Sequence, residues 1–150
     1  LLAFIALIAM VNGMLEAGGA WMGIEQLTLE RLLGGILQPL AWALGIPWDE
    51  AQLAGSLIGQ KFILNEFVAY VTFSEVASQL SPHSQAIVIF SLCGFANLSS
   101  IAILLGGLGA VAPGRRDDIS RYGFRALIAA SLSNLMSAAL AGFFLTLGGA

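Results

Sequence analysis

The sequence predicts an all-α, polytopic membrane protein that contains a re-entrant helical hairpin and a broken transmembrane helix. Of its 150 residues, 58% are hydrophobic and 10% are charged, whereas soluble domains carry about 25% charged residues. Long apolar runs are interrupted near their centres by polar side chains. Four of the six basic residues fall within Arg115–Arg125, which is typical of a cytoplasmic loop and not of a nucleic-acid surface. The single cysteine excludes an intrachain disulfide or a cysteine metal cluster.

The chain opens on an apolar run at 1–13 that lacks the basic region and cleavage site of a signal peptide. It is also shorter than the roughly 20 residues that a transmembrane helix needs. We therefore interpret 1–13 as the end of a transmembrane helix and expect the chain to be the C-terminal portion of a larger protein. The mixed stretch 14–27 predicts an interfacial loop. Leucines recur with helical period over 28–46, which predicts an amphipathic helix in the membrane interface, with Thr28 as its N-cap.

The segment 47–80 is too long for one straight helix across a membrane. Over Asp49–Gln79 such a helix would be about 46 Å long, against a hydrocarbon core of about 30 Å. A strongly tilted spanning helix and a re-entrant hairpin with two short arms are the alternatives. Lys61, Asn65 and Glu66 lie at the middle of the segment, and irregular backbone at membrane depth is tolerated where it is buried in protein or lines a cavity. This favours the hairpin.

Glu66 is the first candidate site residue. A carboxylate at bilayer depth costs at least about 2.5 kcal/mol, so an ionisable residue there indicates function by default. The alternative is a structural ion pair with Lys61. Five positions along a helix are about 140° apart, however, so the two side chains would point to different faces of one continuous helix.

A second polar interruption lies in the predicted span 85–105, which follows a turn at Ser81–Ser84. Asn97, Ser99 and Ser100 occupy its centre. These side chains could bond neighbouring helices or their own helix, or they could mark a helix that is broken at mid-membrane and faces a substrate. His83 is interpreted as a solvated loop histidine.

The remainder is divided into a basic cytoplasmic loop at 106–123 and a final transmembrane helix at 124–147. Asp117 and Asp118 are expected to cap that helix. Asn134 lies on a face of small residues and is interpreted as an interhelical hydrogen-bonding residue of structural value.

Three motifs follow one another in the chain. The first is Gly-x-Lys-x-x-x-Asn-Glu-Phe-Val-Ala-Tyr at Gly59–Tyr70, and the second is Cys93-Gly94-Phe95-Ala96-Asn97-Leu98-Ser99-Ser100-Ile101. The third is Gly106-Gly107-Leu108-Gly109 with Ala112-Pro113-Gly114-Arg115-Arg116. In this order they resemble the signatures of the concentrative nucleoside transporters, which are Na+- or H+-coupled nucleoside symporters of the plasma or bacterial inner membrane.

The resemblance implies a ribose site. Glu66 would lie at the tip of the second re-entrant hairpin of the family, and Glu66, Asn97 and Ser100 would hold the ribose while Phe95 packs against the nucleoside. The supporting residues would be Asn65, Lys61 and Ser99. Leu98 stands where the family usually has Phe, and Ala102 where Gly is common, so these two positions bear on base selectivity.

The resemblance also implies the surroundings of that site. The chain would be the second half of an inverted-repeat transport domain, with 1–13 as the end of a scaffold helix. The intact protein would be a homotrimer in a lipid bilayer that transports nucleosides such as uridine or adenosine. The coupling ion, Na+ or H+, would bind mainly outside this fragment, with no cofactor and no metal site within it.

Two alternatives belong to other classes of protein. One is a non-transporting membrane binding or assembly module that uses the same polar helix tips. The other is an intramembrane hydrolase with Ser99 or Ser100 as nucleophile. The hydrolase lacks a suitable base, because the one histidine, His83, lies roughly 20 Å along a helix from Ser99.

Overall fold

A computed structural model of the chain describes residues 2–24 and 27–148. Within these ranges the chain is helical and contains no β-strand, which confirms the predicted all-α class. The α-helices are α1 Leu2–Trp21, α2 Leu29–Ala43, α3 Trp48–Ile63, α4 Glu66–Val76, α5 Pro82–Leu92, α6 Leu98–Val111 and α7 Arg116–Leu147. Short 3-10 turns at Ala77–Gln79 and Pro113–Arg115 precede α5 and α7.

The first helix is longer than the sequence predicted. α1 continues past Gly13 to Trp21, so most of the predicted loop at 14–27 is helical and the boundary at 13 is wrong. A glycine inside a helix costs only about 1 kcal/mol relative to alanine, and the Met, Leu and Ala residues around Gly13 sustain the helix. Asn12 then ties α1 to α2, because its amide donates to the Glu30 carboxylate at 3.0 and 3.1 Å.

The second helix begins where it was predicted. The Thr28 hydroxyl accepts the backbone N–H of Arg31 at 3.3 Å, which confirms the N-cap. α2 packs closely against α3 through glycines: a Cβ on Gly55 would lie 2.9 Å from the Gly34 carbonyl oxygen. α3 therefore lies deep in the structure, and its consecutive residues Leu57–Lys61 are buried on every side of the helix.

The segment 47–80 folds back on itself. α3 ends at Ile63 and α4 begins at Glu66, while the Glu50 carboxylate near the start of α3 accepts the N–H and the hydroxyl of Ser81 at 3.1 and 3.0 Å. The start of α3 therefore lies next to the residues that follow α4, so the two arms run antiparallel. The alternative of one tilted helix is wrong. The placement of this hairpin as re-entrant in a membrane stays a prediction.

The helix that follows is interrupted at its polar centre, over residues 93–97. Its bounds differ from the predicted 85–105, because α5 begins at Pro82 and α6 extends to Val111. Ser81 is the N-cap of α5 and accepts the Ser84 N–H at 3.3 Å, and proline suits the first helical position. The predicted turn at Ser81–Ser84 is thus mostly the first turn of α5, and His83 lies on this helix and not in a loop.

The predicted loop at 106–123 is wrong in extent. α6 continues through the glycine-rich stretch to Val111, and α7 begins at Arg116 after a short turn. Asp117 and Asp118 lie in the first turn of α7, where negative charge is favourable. Pro113–Leu147 is the one helix of the described ranges that is long and apolar enough to cross a membrane.

The apolar core lies between α2, α3, α5 and α7. Leu57 and Ile58 of α3 and Ile87 of α5 are fully buried, and Leu135 of α7 closes the cluster. α5 and α7 approach closely at Gly142, where a Cβ would lie 2.7 Å from Ile87 Cδ1. This packing supports the two helix breaks, which lie beside each other on one side of the core.

Candidate functional site

Two helix N-termini meet where the hairpin and the broken helix are interrupted. The Asn65 side chain caps α4 by accepting the Val68 N–H at 2.9 Å, and the Asn97 side chain caps α6 by accepting the Ser100 N–H at 2.8 Å. The Ser99 hydroxyl donates to the Leu64 carbonyl at 2.9 Å and so joins the two breaks. The positive ends of two helix dipoles therefore face the same region.

Glu66 and Asn97 face each other across this junction. Asn97 Nδ2 lies 3.5 Å from Glu66 Oε2, at the long limit of a hydrogen bond. Asn97 is only 3% exposed, whereas Glu66 is half-buried. Both lie on a cavity of about 330 Å³. The four predicted substrate-binding residues line it together with two of the three predicted supporting residues, and with Phe67 and Ile103 in addition: Asn65, Glu66, Phe67, Phe95, Asn97, Ser99, Ser100 and Ile103.

The hydrogen bonds around Asn97 determine which way its amide points. Oδ1 accepts the Ser100 N–H and lies 2.7 Å from the Ser99 hydroxyl. Nδ2 lies 3.1 Å from the Phe95 carbonyl oxygen and faces Glu66. A free asparagine amide can both donate to and accept from a ligand. In the structure its acceptor is already used by the protein, so Asn97 offers a ligand an N–H and Glu66 offers it a carboxylate.

Ser100 and two aromatic residues complete the cavity. The Ser100 oxygen lies 2.9 Å from the Phe95 carbonyl oxygen and 2.8 Å from Asn97 Oδ1. One hydroxyl hydrogen serves only one of these at a time, and the lone pairs of the Ser100 oxygen can accept from a ligand. Phe95 and Phe67 are 76% and 72% exposed within the described chain.

Phe67 was missed by the sequence reasoning, which treated it as one apolar residue in an apolar motif. Its position directly after Glu66, in the first turn of α4, is the signal that could have identified it. A residue there shares the helix N-terminus with the carboxylate and reaches the same cavity.

Lys61 does not pair with Glu66. Its side chain is fully buried, and Nζ donates to Asn134 Oδ1 at 3.1 Å and lies 4.8 Å from the centre of the Phe62 ring. Among the residues that the structure describes, no carboxylate forms an ion pair with Lys61. The alternative of a structural Lys61–Glu66 ion pair is therefore wrong, because the ammonium group of Lys61 is bonded to Asn134 and not to the carboxylate.

The arrangement defines a class of protein. Discontinuous helices whose polar N-termini converge on one cavity, in an apolar chain with a helix long enough to cross a membrane, are the means by which secondary transporters hold a substrate. The chain belongs to the sodium-dependent nucleoside transporter family, because the family model described as "Na+ dependent nucleoside transporter C-terminus" matches residues 1–142.

Individual relatives are similar over nearly the whole chain. The nucleoside permease NupC of Helicobacter pylori is 47% identical over 98% of this chain and 36% of its own length. The putative nucleoside permease NupX of Escherichia coli is 54% identical over 86% of this chain and 32% of its own length. Sodium/nucleoside cotransporter 1 of Rattus norvegicus is 36% identical over 95% of this chain and 24% of its own length.

A solved structure of the transporter CNTnw, in an inward-facing substrate-bound state, has the same fold. It superposes with a TM-score of 0.88 at 56% identity, over 99% of this chain and 37% of that one. The chain thus spans only about a third of the length of the bacterial relatives and of this structure. The family resemblance and the membership of an integral membrane protein family are confirmed, and the relatives are named permeases and cotransporters and not enzymes.

Proposed function

We propose that the intact protein is a cation-coupled nucleoside symporter and that this chain supplies the ribose-binding half of its site. One observation carries the proposal: Glu66 and Asn97, from two separate helix breaks, face each other 3.5 Å apart on one cavity. An acceptor beside a donor is the pair of groups that a sugar hydroxyl requires, since a hydroxyl both donates and accepts.

Ribose offers two vicinal hydroxyls, and the carboxylate of Glu66 can accept from both. Hydrogen bonds to an ionised group are about twice as strong as neutral ones. Asn97 then donates its N–H to one hydroxyl oxygen, and the Ser100 hydroxyl completes the shell. A nucleoside that lacks one hydroxyl would leave a buried partner unpaired, so the site would discriminate against deoxyribonucleosides.

The aromatic residues and the helix ends suit the rest of the ligand. The ring of Phe95 lies beside Asn97 and offers an apolar face to the nucleoside. The two helix N-termini stabilise the charge of Glu66 when no sugar is bound. A site of this kind binds through a few polar groups placed within a largely apolar pocket.

The remaining parts of the proposal concern the intact protein. The hairpin α3–α4 is re-entrant, the chain is the second half of an inverted repeat, and three copies assemble into a homotrimer. The coupling ion is Na+ or H+ and binds mainly outside this chain. The coupling to a cation is supported by a relative that is named a sodium/nucleoside cotransporter.

Uptake of labelled uridine by the intact protein tests the proposal, in cells that lack their own nucleoside carriers and with the Na+ and H+ gradients dissipated in turn. Concentrative uptake that collapses with one of the two gradients is expected. Calorimetric binding of uridine without any uptake would instead identify a non-transporting binding module. Absence of both uptake and binding would overturn the assignment.

A further inference from the structure

Asn134 of α7 holds two other helices at once. Its Oδ1 accepts from Lys61 Nζ at 3.1 Å, and its Nδ2 donates to the Phe90 carbonyl at 2.9 Å. Lys61 lies in the last turn of α3 and Phe90 in the last turn of α5. These are the two turns that lead into the two breaks, so one amide connects both interrupted elements.

The second break is built to accept this amide. A Cβ on Gly94 would lie 2.7 Å from Asn134 Oδ1 and 2.8 Å from its Cγ. Any side chain at position 94 would therefore displace Asn134. Gly94 lies in the same non-helical stretch as Phe95 and Asn97. The glycine that leaves room for Asn134 is therefore directly connected to the residues that face the cavity.

Buried Lys61 links the end of α3 to Asn134 of α7. Its ammonium group is fully buried inside this chain, so no residue from the rest of the intact protein reaches it while this fold is kept. A buried ammonium needs hydrogen-bond acceptors, and Asn134 Oδ1 is the acceptor that the described residues provide. The position of α3 relative to α7 is thereby tied to one side-chain contact.

We propose that Asn134, with Lys61, is a positioning residue that keeps Glu66 and Asn97 in register for the substrate. The inference rests on the proposed nucleoside site and adds to it a residue that does not touch the ligand. Asn134 acts through Lys61 on the hairpin, and through the Phe90 carbonyl and Gly94 on the broken helix.

The first test compares Asn134→Leu, Lys61→Met and the double variant in the intact protein. Leu has the same branched shape as Asn, with two methyl groups in place of the amide oxygen and nitrogen, and it removes both hydrogen bonds. We expect Asn134→Leu to raise the KM for uridine by about tenfold or more, which is about 1.4 kcal/mol. The effect of the double variant should be smaller than the product of the single effects, since both changes break the same contact. Ser137→Ala serves as the control, because this exposed hydroxyl bonds only within α7.

Gly94→Ala is the second variant, and it keeps the proposal testable if Asn134→Leu fails to fold. It leaves both partners of the hydrogen bonds in place and displaces the amide, so its KM should rise in the same way. A purely structural role would reduce the amount of protein and Vmax while KM stays within about twofold of wild type. That result would overturn the proposal. A double variant whose rise in KM equals the product of the two single rises would overturn it as well.

Amide hydrogen exchange gives a readout that does not depend on transport. In Asn134→Leu we expect faster exchange confined to residues 64–68 and 93–100, because only the two breaks lose their common support. Unchanged exchange at both breaks, or equal acceleration in α2 and α7, would contradict the inference. If Glu66→Gln transports normally while the exchange result holds, the proposed function fails and the positioning role of Asn134 stands.

Discussion

Replacement of Glu66 by Gln is the most direct test of the proposed site. The change keeps the shape of the side chain and removes its charge. Hydrogen bonds to a charged group contribute about 1.5–3 kcal/mol and neutral ones about 0.5–1.5 kcal/mol. For two ribose hydroxyls the loss is therefore about 2–3 kcal/mol, which corresponds to a rise of about 30- to 150-fold in KM.

The surroundings of Glu66 add to this loss. Asn97 Nδ2 lies 3.5 Å from Glu66 Oε2 and is held there by the bonds that Asn97 Oδ1 accepts. A glutamine must either turn its NH2 group toward this donor or turn it toward the cavity, where it replaces an acceptor for the sugar. Either orientation leaves fewer acceptors for the diol than the carboxylate offers.

The assay is initial-rate uptake of labelled uridine by the intact protein in carrier-deficient cells, normalised to the amount of protein in the membrane. Glu75→Gln is the matched control, because Glu75 is an exposed carboxylate on the same helix, α4. We expect Glu66→Gln to lose uptake at low uridine concentrations and Glu75→Gln to match wild type. A Glu66→Gln variant with a KM within about threefold of wild type would refute the reasoning, since threefold is about 0.65 kcal/mol and the expected loss is about 2–3 kcal/mol.

Three further substitutions test separate contacts. Asn97→Asp places a carboxylate oxygen where the amide nitrogen lies, about 3.5 Å from the Glu66 carboxylate. Because two like charges then share one site, uridine uptake at neutral pH should be lost. Retained uptake would show that the two groups do not face each other. Ser100→Ala removes one neutral hydrogen-bonding group and should raise the KM for uridine about fivefold, or about 1 kcal/mol, with an unchanged KM counting against a contact with the sugar. Glu50→Gln weakens the two hydrogen bonds to Ser81 that close the hairpin. Thermal melting of the purified protein should show a loss of stability of about 1–2 kcal/mol, while the KM for uridine stays constant.

The positions of the two helix breaks could be predicted from the sequence. Polar side chains in the middle of apolar runs are costly unless the backbone is interrupted around them, and this reasoning located the breaks next to Glu66 and Asn97. Both breaks lie there. The same reasoning gave the polar residues that line the cavity, and the family resemblance added Phe95. Phe67 and Ile103 were omitted.

The ends of the helices were predicted less well. Gly13 and the stretch Gly106–Gly109 were taken as signs of loops, yet α1 and α6 run through them. A glycine weakens a helix by only about 1 kcal/mol, and packing or apolar neighbours outweigh that cost. Ser81 and Pro82 were read as a turn although they are also a favourable start for a helix.

The sequence by itself determined the helical membrane class, the family and the pair of polar residues at the centre of the site, because composition and motifs are local properties. Only the tertiary structure decided the partners of the buried side chains. Lys61 is five positions from Glu66 in the chain, but its hydrogen-bond partner is Asn134, 73 positions away. Which faces of distant helices pack together is set by the whole core, so this pairing and the direction of the Asn97 amide follow from packing and not from local sequence.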